Sequence, residues 1–332
     1  MPGFRTHYLF GKTTAEEYHL TREYACIKEH PRAYQLGQQG PDIFFYYLPS
    51  VAVYPKNIGT EMHNHDVMSF FSSLFEARRT FRGKNDRMIA DAYIMGFIGH
   101  YTLDVTAHPY IQFRTKKRKF SDRPKYAHGN HVFLETDIDV ALQQHYLHLQ
   151  PSDFRPETTI ALTKHELSVI CRLLAKAIRQ TYPDLAIPTW QVRLAVRSTY
   201  ILTRMLYDPH GWKKKFVRFA DQQIFHHAFY SPIIANDGFT AYHDPLNLRH
   251  LPWKNPWDAS VSSKQDFYEL LAEARGIYVK RLDMYSRMLH YADRSSFLSK
   301  KAQEASYYHR LNVLLAELGD YGYSKGVLIK KL

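Results

Sequence analysis

The chain has 332 residues, which is enough for one large domain or two moderate ones. Its 45% hydrophobic, 15% aromatic and 23% charged residues are typical of a globular protein and exclude a largely disordered chain. The formal net charge of +12 favours a phosphate-bearing or otherwise anionic partner.

Helical periodicity runs through most of the chain and predicts an all-α, multi-helical fold. After a capped helix start at residues 13–17, we expect helices at residues 68–82, 86–107, 131–149, 163–181, 189–207, 212–227, 264–289 and 299–318. The segment 86–107 is apolar almost all round, which is typical of a helix buried in a core. Pro109 is expected to end this helix beside His108, because a residue before proline disfavours helical geometry.

The longest irregular stretch is residues 231–263, rich in Pro, Trp and His and too long for a simple connector. We predict a surface loop anchored by Trp253 and Trp257; a cover over the functional site is the alternative. His243 and His250 within it are minor candidate ligands.

The N-terminal sequence lacks the features of a secretory signal, and no later stretch has the length and apolar character of a membrane span. The sequence therefore predicts a cytoplasmic protein. In that compartment we expect Cys26 and Cys171 to be reduced thiols.

Histidines and carboxylates at helical spacing are typical of a metal-binding site. His100, Asp104 and His108 follow one another at four-residue steps in the segment GFIGHYTLDVTAHPYI. Side chains at this spacing lie on one helix face and can converge on a cation. Since the chain has 19 His and only 2 Cys, a zinc ion would have nitrogen and oxygen ligands. The alternative for each single residue is a hydrogen-bonded core histidine or a capping aspartate.

Other segments add further coordinating side chains, each among aromatic or apolar neighbours or at the same four-residue spacing. The full set of candidate metal ligands is His7, Asp42, His63, His100, Asp104, His108, His131 and Glu135. Two further features flank this set. Phe44, Phe45, Tyr46 and Tyr47 follow Asp42 and form either an apolar substrate wall or simply core. The basic run at residues 114–125 is expected to be a loop that steers phosphate esters, contacts an anionic membrane surface, or is functionally silent.

In this order, the candidate ligands resemble those of the bacterial zinc-dependent phospholipase C family, whose all-helical fold is similar to that of zinc-dependent single-strand nucleases. The resemblance covers roughly residues 1–145 and rests on an early His, the GPD tripeptide at residues 40–42, the HxxxD helix and the HxxxE pair. It implies a catalytic core over residues 1–150. Residues 151–332 would form a helical extension, packed on that core.

The resemblance also implies two or three zinc ions. One would take Asp42, His63, His100 and Asp104; a second would take His7 and share Asp104; a third would take His108, His131 and Glu135. Secreted members of the family complete one zinc site with their N-terminal amino group. Because six residues precede His7 here, we expect that site to be weaker or absent.

The function implied is a zinc-dependent phosphodiester hydrolase in which metal-activated water attacks the substrate. Asp42 is the expected general base and Glu135 the alternative. A glycerophospholipid is the favoured substrate. Two alternatives stay open: a zinc-dependent nuclease acting on nucleic acid, and a non-catalytic, metal-stabilised helical binding protein.

Overall fold

The computed structural model describes residues 3–47, 57–117, 127–208, 210–221, 223, 234, 244–293 and 299–329. The fold of these ranges is all-α, as the sequence predicts. The α-helices are α1 (Phe4–Glu17), α2 (Leu20–Glu23), α3 (Ala25–Glu29), α4 (Pro31–Gly37), α5 (Ile58–Asn64), α6 (Val67–Arg79), α7 (Lys84–Lys117), α8 (Ala127–Leu147), α9 (Pro156–Thr159), α10 (Lys164–Thr181), α11 (Thr189–Met205), α12 (Trp212–Ala220), α13 (Phe267–Asp293) and α14 (Lys300–Leu318). Short 3₁₀ helices lie at Gly40–Phe44, Pro151–Asp153 and Pro183–Leu185, and β1 (Trp253–Lys254) pairs antiparallel with β2 (Ser262–Ser263).

Helix α7 is the longest described element. It has 34 residues in all and continues past Pro109. The prediction that Pro109 ends this helix is therefore wrong. A proline inside a helix costs about 3 kcal/mol, but the neighbouring Tyr110 and Ile111 are fully buried. Gly326, from the C-terminal end of the chain, packs against the Pro109 ring and the Val105 carbonyl. Tertiary packing thus offsets the local cost.

The predicted helix start at residues 13–17 is also wrong, since these residues form the last turn of α1. The Thr13 and Thr14 hydroxyls donate to the carbonyls of Leu9 and Phe10, one turn earlier, at 2.8 and 2.6 Å. They are bonded back along the helix and do not cap a new one. The helix predicted over residues 163–181 is confirmed as α10, and Thr163 and Glu166 form a capping box at its start.

Two glycines set the crossing of α4 and α7, the helices that pack most extensively against each other. A Cβ atom on Gly37 would lie 2.1 Å from the Tyr93 carbonyl oxygen, and one on Gly96 would lie 2.1 Å from the Tyr34 carbonyl oxygen. Both positions therefore need glycine. This close crossing presses the end of α4 against the middle of α7.

One hydrophobic core joins both halves of the chain. Helix α10 packs on α6, and α13 packs on α7 and α14. The proposed boundary at residue 150 stays a prediction. Cys26 and Cys171 are buried and unpaired with each other. Within the described residues, every helix is too short or too polar to cross a membrane.

The described part of the irregular stretch consists of residue 234 and residues 244–263. Trp253 anchors it, being buried and donating from its indole nitrogen to the Gln265 carbonyl at 3.1 Å. Trp257 is 38% exposed and is a weaker anchor than predicted. His243 lies outside the described residues.

We expect Gly96→Ala to lower the free energy of unfolding by about 2 kcal/mol, because overpacking of this crossing outweighs the gain in helix propensity. Urea unfolding followed by circular dichroism, at a fixed excess of zinc, measures the change. Gly276→Ala is the matched control, since Gly276 lies within α13 with no atom within 4 Å of an added Cβ. That variant should gain about 0.5–1 kcal/mol. Equal effects of the two substitutions would contradict the close crossing.

Candidate metal centre

The eight candidate ligands, drawn from five helices and helical turns, lie side by side in one buried cluster. His7 lies on α1, Asp42 in the 3₁₀ turn after α4, and His63 on α5, whereas the others lie on α7 and α8. His131 is the most exposed of them, at 18% of its side chain. Helical spacing on α7 and α8 supplied five of the eight, and the crossing of separate segments supplied the rest.

Asp104 lies at the centre of the cluster and is fully buried. Its Oδ1 atom is 3.2 Å from His7 Nε2, and its Oδ2 atom is 3.3 Å from His100 Nε2. His63 Nε2 lies 3.8 Å from Oδ2, and His108 Nδ1 lies 3.6 Å from Oδ1. The two carboxylate oxygens therefore face different imidazoles, as a ligand shared by two cations would.

Within this cluster, three groups of donor atoms are compact enough to hold a metal ion, with all atoms of a group within 4.8 Å of one another. They are His7 with Asp42 and His100; His63 with His100 and Asp104; and His108 with His131 and Glu135. Asp42 joins the first two groups, because its Oδ1 atom is 3.1 Å from His63 Nε2 and 3.8 Å from His100 Nε2. His131 Nε2 lies 2.8 Å from Glu135 Oε1 in the third.

Backbone carbonyls orient the histidine rings. Nδ1 of His63 lies 2.6 Å from the Gly59 carbonyl oxygen, and Nδ1 of His100 lies 3.0 Å from that of Gln38. A carbonyl accepts only from a protonated ring nitrogen, so in the neutral ring each Nε2 carries the lone pair. Such carbonyl contacts are the usual outer support of metal-binding histidines. Both Nε2 atoms face the cluster.

Several of these buried atoms have no hydrogen-bonding partner within the part of the chain that the structure describes. They include both ring nitrogens of His7, Nε2 of His63, His100 and His108, Oδ1 of Asp42, and both carboxylate oxygens of Asp104. A buried polar atom without a partner costs about 1–3 kcal/mol and is rare in folded proteins. The donors are imidazole nitrogens and carboxylate oxygens, which zinc accepts. The residues present therefore fit a zinc centre.

Charge interactions keep the carboxylates of Asp104 and Glu135 ionised. Burial raises the pKa of Asp104, but His100 and His108 outweigh it and hold this pKa well below its usual range. Burial likewise opposes ionisation of Glu135, yet His131 lowers its pKa to about 2. Burial lowers the pKa of His7 and that of His108, so these rings stay neutral. His100 differs, because Asp104 and Asp42 overcome the effect of burial and raise its pKa.

Asp139 on α8 holds the first turn of α1, the helix that carries His7. The Asp139 carboxylate accepts from the backbone N–H of Arg5 at 3.1 Å and from that of Thr6 at 2.8 Å. It also accepts from the Thr6 hydroxyl at 2.6 Å. Asp139 therefore caps the first turn of α1, and His7 follows directly. Because the carboxyl is buried, its pKa rises to about 6 despite Arg5 and these hydrogen bonds.

Tyr323 is a contact of the cluster that sequence reasoning missed. Its ring centroid lies 4.7 Å from that of His63 and 5.8 Å from that of His100. Its backbone N–H donates to the His63 carbonyl at 3.0 Å. Nothing in the sequence near Tyr323 marks it, since only the fold brings the C-terminal end of the chain over α5 and α7.

Two of the candidate ligands border a cleft of about 140 Å³. Asp42 and Glu135 line it together with aromatic side chains, including Tyr46 and Phe154. Both interpretations of residues 44–47 are therefore partly right. Tyr46 forms part of a wall, whereas Phe44 and Tyr47 are core residues that are 0% and 3% exposed.

The remaining sequence candidates lie elsewhere. Residues 118–125 of the basic run are outside the described residues, and residues 114–117 form the last turn of α7 instead of the expected loop. Arg114 donates to the Asp244 carbonyl at 3.0 Å. His250 is exposed and lies in a separate surface group with Asp266 and Glu269, away from the eight-residue cluster.

Comparison with known proteins gave one family. The family model for zinc-dependent phospholipase C matches residues 6–186, just over half of the chain, and this range contains all eight candidate ligands. Helices α11 to α14 lie beyond it. Neither a curated protein nor a solved structure matches.

We expect Asp104→Asn to lower the zinc content by at least one ion per chain, because an amide cannot supply two anionic donor atoms to the cluster. Elemental analysis of the desalted protein measures this content. His165→Ala is the control, since it removes an exposed histidine that belongs to none of these donor groups and should leave the content unchanged. Full zinc content in Asp104→Asn would contradict a bridging role.

Zinc binding should release protons near neutral pH, because His100 has a raised pKa and must lose its proton to become a ligand. Apparent zinc affinity is therefore expected to rise with pH until His100 is neutral in the metal-free protein. Titration calorimetry in two buffers of different ionisation enthalpy gives the number of protons released. Equal heats in both buffers would show that no proton is released.

Proposed function

The chain belongs to the zinc-dependent phospholipase C family, and we propose that it hydrolyses the phosphodiester bond of a glycerophospholipid. The observation that supports this most directly is the opening of the buried donor cluster onto a cleft through Asp42 and Glu135. A purely structural zinc site is closed, whereas a catalytic one keeps a position open for water or substrate.

We assign the eight ligands to two or three zinc ions. His63, His100, Asp42 and Asp104 would hold one; His7 and Asp104 a second; and the set formed by His108, His131 and Glu135 a third. Bound zinc lowers the pKa of water and neutralises charge on phosphate oxygens. Asp104 would keep two ions close together, because its two oxygens face separate imidazoles.

Asp42 is the proposed general base. Its carboxylate is 5% exposed, lies at the edge of the cluster and borders the cleft, so it can reach both a water molecule and the metal. Glu135 also borders the cleft and is the second candidate. The low pKa of Glu135, about 2, makes it a weak base and a good permanent ligand.

The side chains that line the cleft favour a phospholipid as the substrate. Arg5 brings a positive charge to it, which favours phosphate oxygens. Phe4, Phe154 and Leu206 supply apolar surface beside this charge. A phosphate next to hydrocarbon is the chemistry of a glycerophospholipid near its head group.

We expect the zinc-loaded protein to hydrolyse a short-chain phosphatidylcholine that is fully dissolved, and Asp42→Asn to lower kcat by about 10²–10⁴-fold. Phosphate-containing product is measured by mass spectrometry, and zinc content is determined on the same sample, so that loss of metal is separated from loss of the base. His250→Ala serves as the control and should retain full activity.

The same assay decides between the alternatives. Cleavage of single-stranded RNA or DNA without lipid turnover would contradict the proposed phospholipase C activity and favour a nuclease. Zinc binding with no turnover of either substrate class would favour a non-catalytic domain. If Asp42→Asn keeps its turnover per bound zinc, Asp42 is not the general base and Glu135 takes its place in the proposal.

A further inference from the structure

Two consecutive helices beyond the family match carry an unusual amount of exposed apolar surface. We call it the α11–α12 face and define it by seven side chains that are each between 39% and 68% exposed. They are Trp190, Leu194, Ile201 and Met205 on α11, and Trp212, Phe216 and Phe219 on α12. Contiguous exposed apolar surface of this kind marks an interaction site.

The spacing puts these residues in one stripe on each helix. Positions 212, 216 and 219 lie on one side of α12, as positions 190, 194, 201 and 205 do on α11. An amphipathic helix ordinarily turns such a stripe into the core. Here no residue of α12 is buried, and α12 packs extensively against none of the other described helices. The stripe faces outward.

Hydrogen bonds hold α12 against the end of α11. The Asp208 carboxylate accepts from the backbone N–H groups of Lys213 and Lys214 at 3.3 and 2.8 Å, and so caps α12. The Lys213 ammonium donates in turn to the Tyr207 carbonyl at 2.8 Å, at the end of α11. The exposed side chains are thus presented by two helices in a fixed arrangement.

The charge beside the stripe is positive. Residues 189–221 contain seven Lys or Arg and two Asp, and both of these, Asp208 and Asp221, are buried. Arg197 and Arg204 border the stripe on α11, as Lys215 and Arg218 do on α12, and all four are exposed. Two copies of this face would repel each other. An anionic surface that also accepts aromatic side chains fits it.

Helix α11 also borders the cleft. Thr203, Leu206 and Tyr207, from the last turn of α11 and the turn after it, line the same cleft as Asp42 and Glu135. The Thr199 hydroxyl donates to the Ile43 carbonyl at 3.3 Å, which ties α11 to the turn that carries Asp42. Thr203 lies about half a turn around α11 from the exposed stripe, so this helix carries the stripe on its outer side and borders the cleft with its inner side.

We propose that the α11–α12 face docks the protein on an anionic phospholipid bilayer, with Trp212, Phe216 and Phe219 entering the interface and the flanking Lys and Arg contacting lipid head groups. Docking in this position would hold α11, which borders the cleft, at the bilayer surface. The inference deepens the proposed function by naming how the substrate is approached, but binding to the bilayer itself does not require catalysis.

Co-sedimentation of the zinc-loaded full chain with vesicles tests the proposal. Vesicles of phosphatidylcholine with 30% phosphatidylserine should bind the protein at least tenfold more tightly than pure phosphatidylcholine vesicles, and high salt should weaken the binding. The variant Trp212→Ser/Phe216→Ser/Phe219→Ser and the charge variant Arg197→Glu/Arg204→Glu should each reduce binding at least tenfold. Both should hydrolyse dissolved short-chain phosphatidylcholine at the rate of the unmodified chain.

Matched controls come from other exposed positions. Leu248→Ser/Leu251→Ser removes two exposed apolar side chains, and Lys300→Glu/Lys301→Glu reverses two exposed charges; both should bind vesicles normally. Equal binding by all variants, no binding by the unmodified chain, or preference for single-stranded RNA over vesicles would overturn the proposal. Vesicle binding that depends on the face, without any lipid hydrolysis, would uphold the docking surface and contradict the proposed function instead.

Discussion

The burial of the Asp104 carboxylate among four imidazoles is the interaction on which the rest of the site depends. A buried charge is costly unless it is paired and hydrogen-bonded, and His7, His63, His100 and His108 lie within 3.2–3.8 Å of its oxygens. These rings cannot all be protonated together, because like charges in a dry interior repel one another. Protons alone therefore leave some of the buried nitrogen and oxygen atoms without a partner, whereas metal cations bound between these atoms would give each of them one.

Close packing of the backbone makes this arrangement possible. The glycine crossing of α4 and α7 brings the Gln38 carbonyl to within 3.0 Å of His100 Nδ1. Gly40 has a positive φ of 49°, and a Cβ atom there would lie 2.3 Å from the His100 ring. The buried aromatic side chains of α7 supply the apolar burial that offsets the cost of the polar cluster.

The sequence predicts what local periodicity determines. HxxxD and HxxxE place ligands on one face of a helix whatever surrounds them, so His100 with Asp104 and His131 with Glu135 were found from spacing. The errors arise where a distant segment acts. Gly326 packs against Pro109 and allows α7 to continue, and Asp139 caps α1 from another helix. Tyr323 covers His63 from the far end of the chain.

The cleft is lined by two parts of the chain. Asp42 and Glu135 lie within the range matched by the family, whereas Thr203, Leu206 and Tyr207 lie beyond that range. If Asp42 and Glu135 bind metal as we propose, their positions are constrained by the cation, because ligands must meet it. Thr203, Leu206 and Tyr207 are free of that constraint. Under the proposed function, the metal chemistry would therefore depend on helices within the matched range, and the fit of the substrate would depend in part on the end of α11.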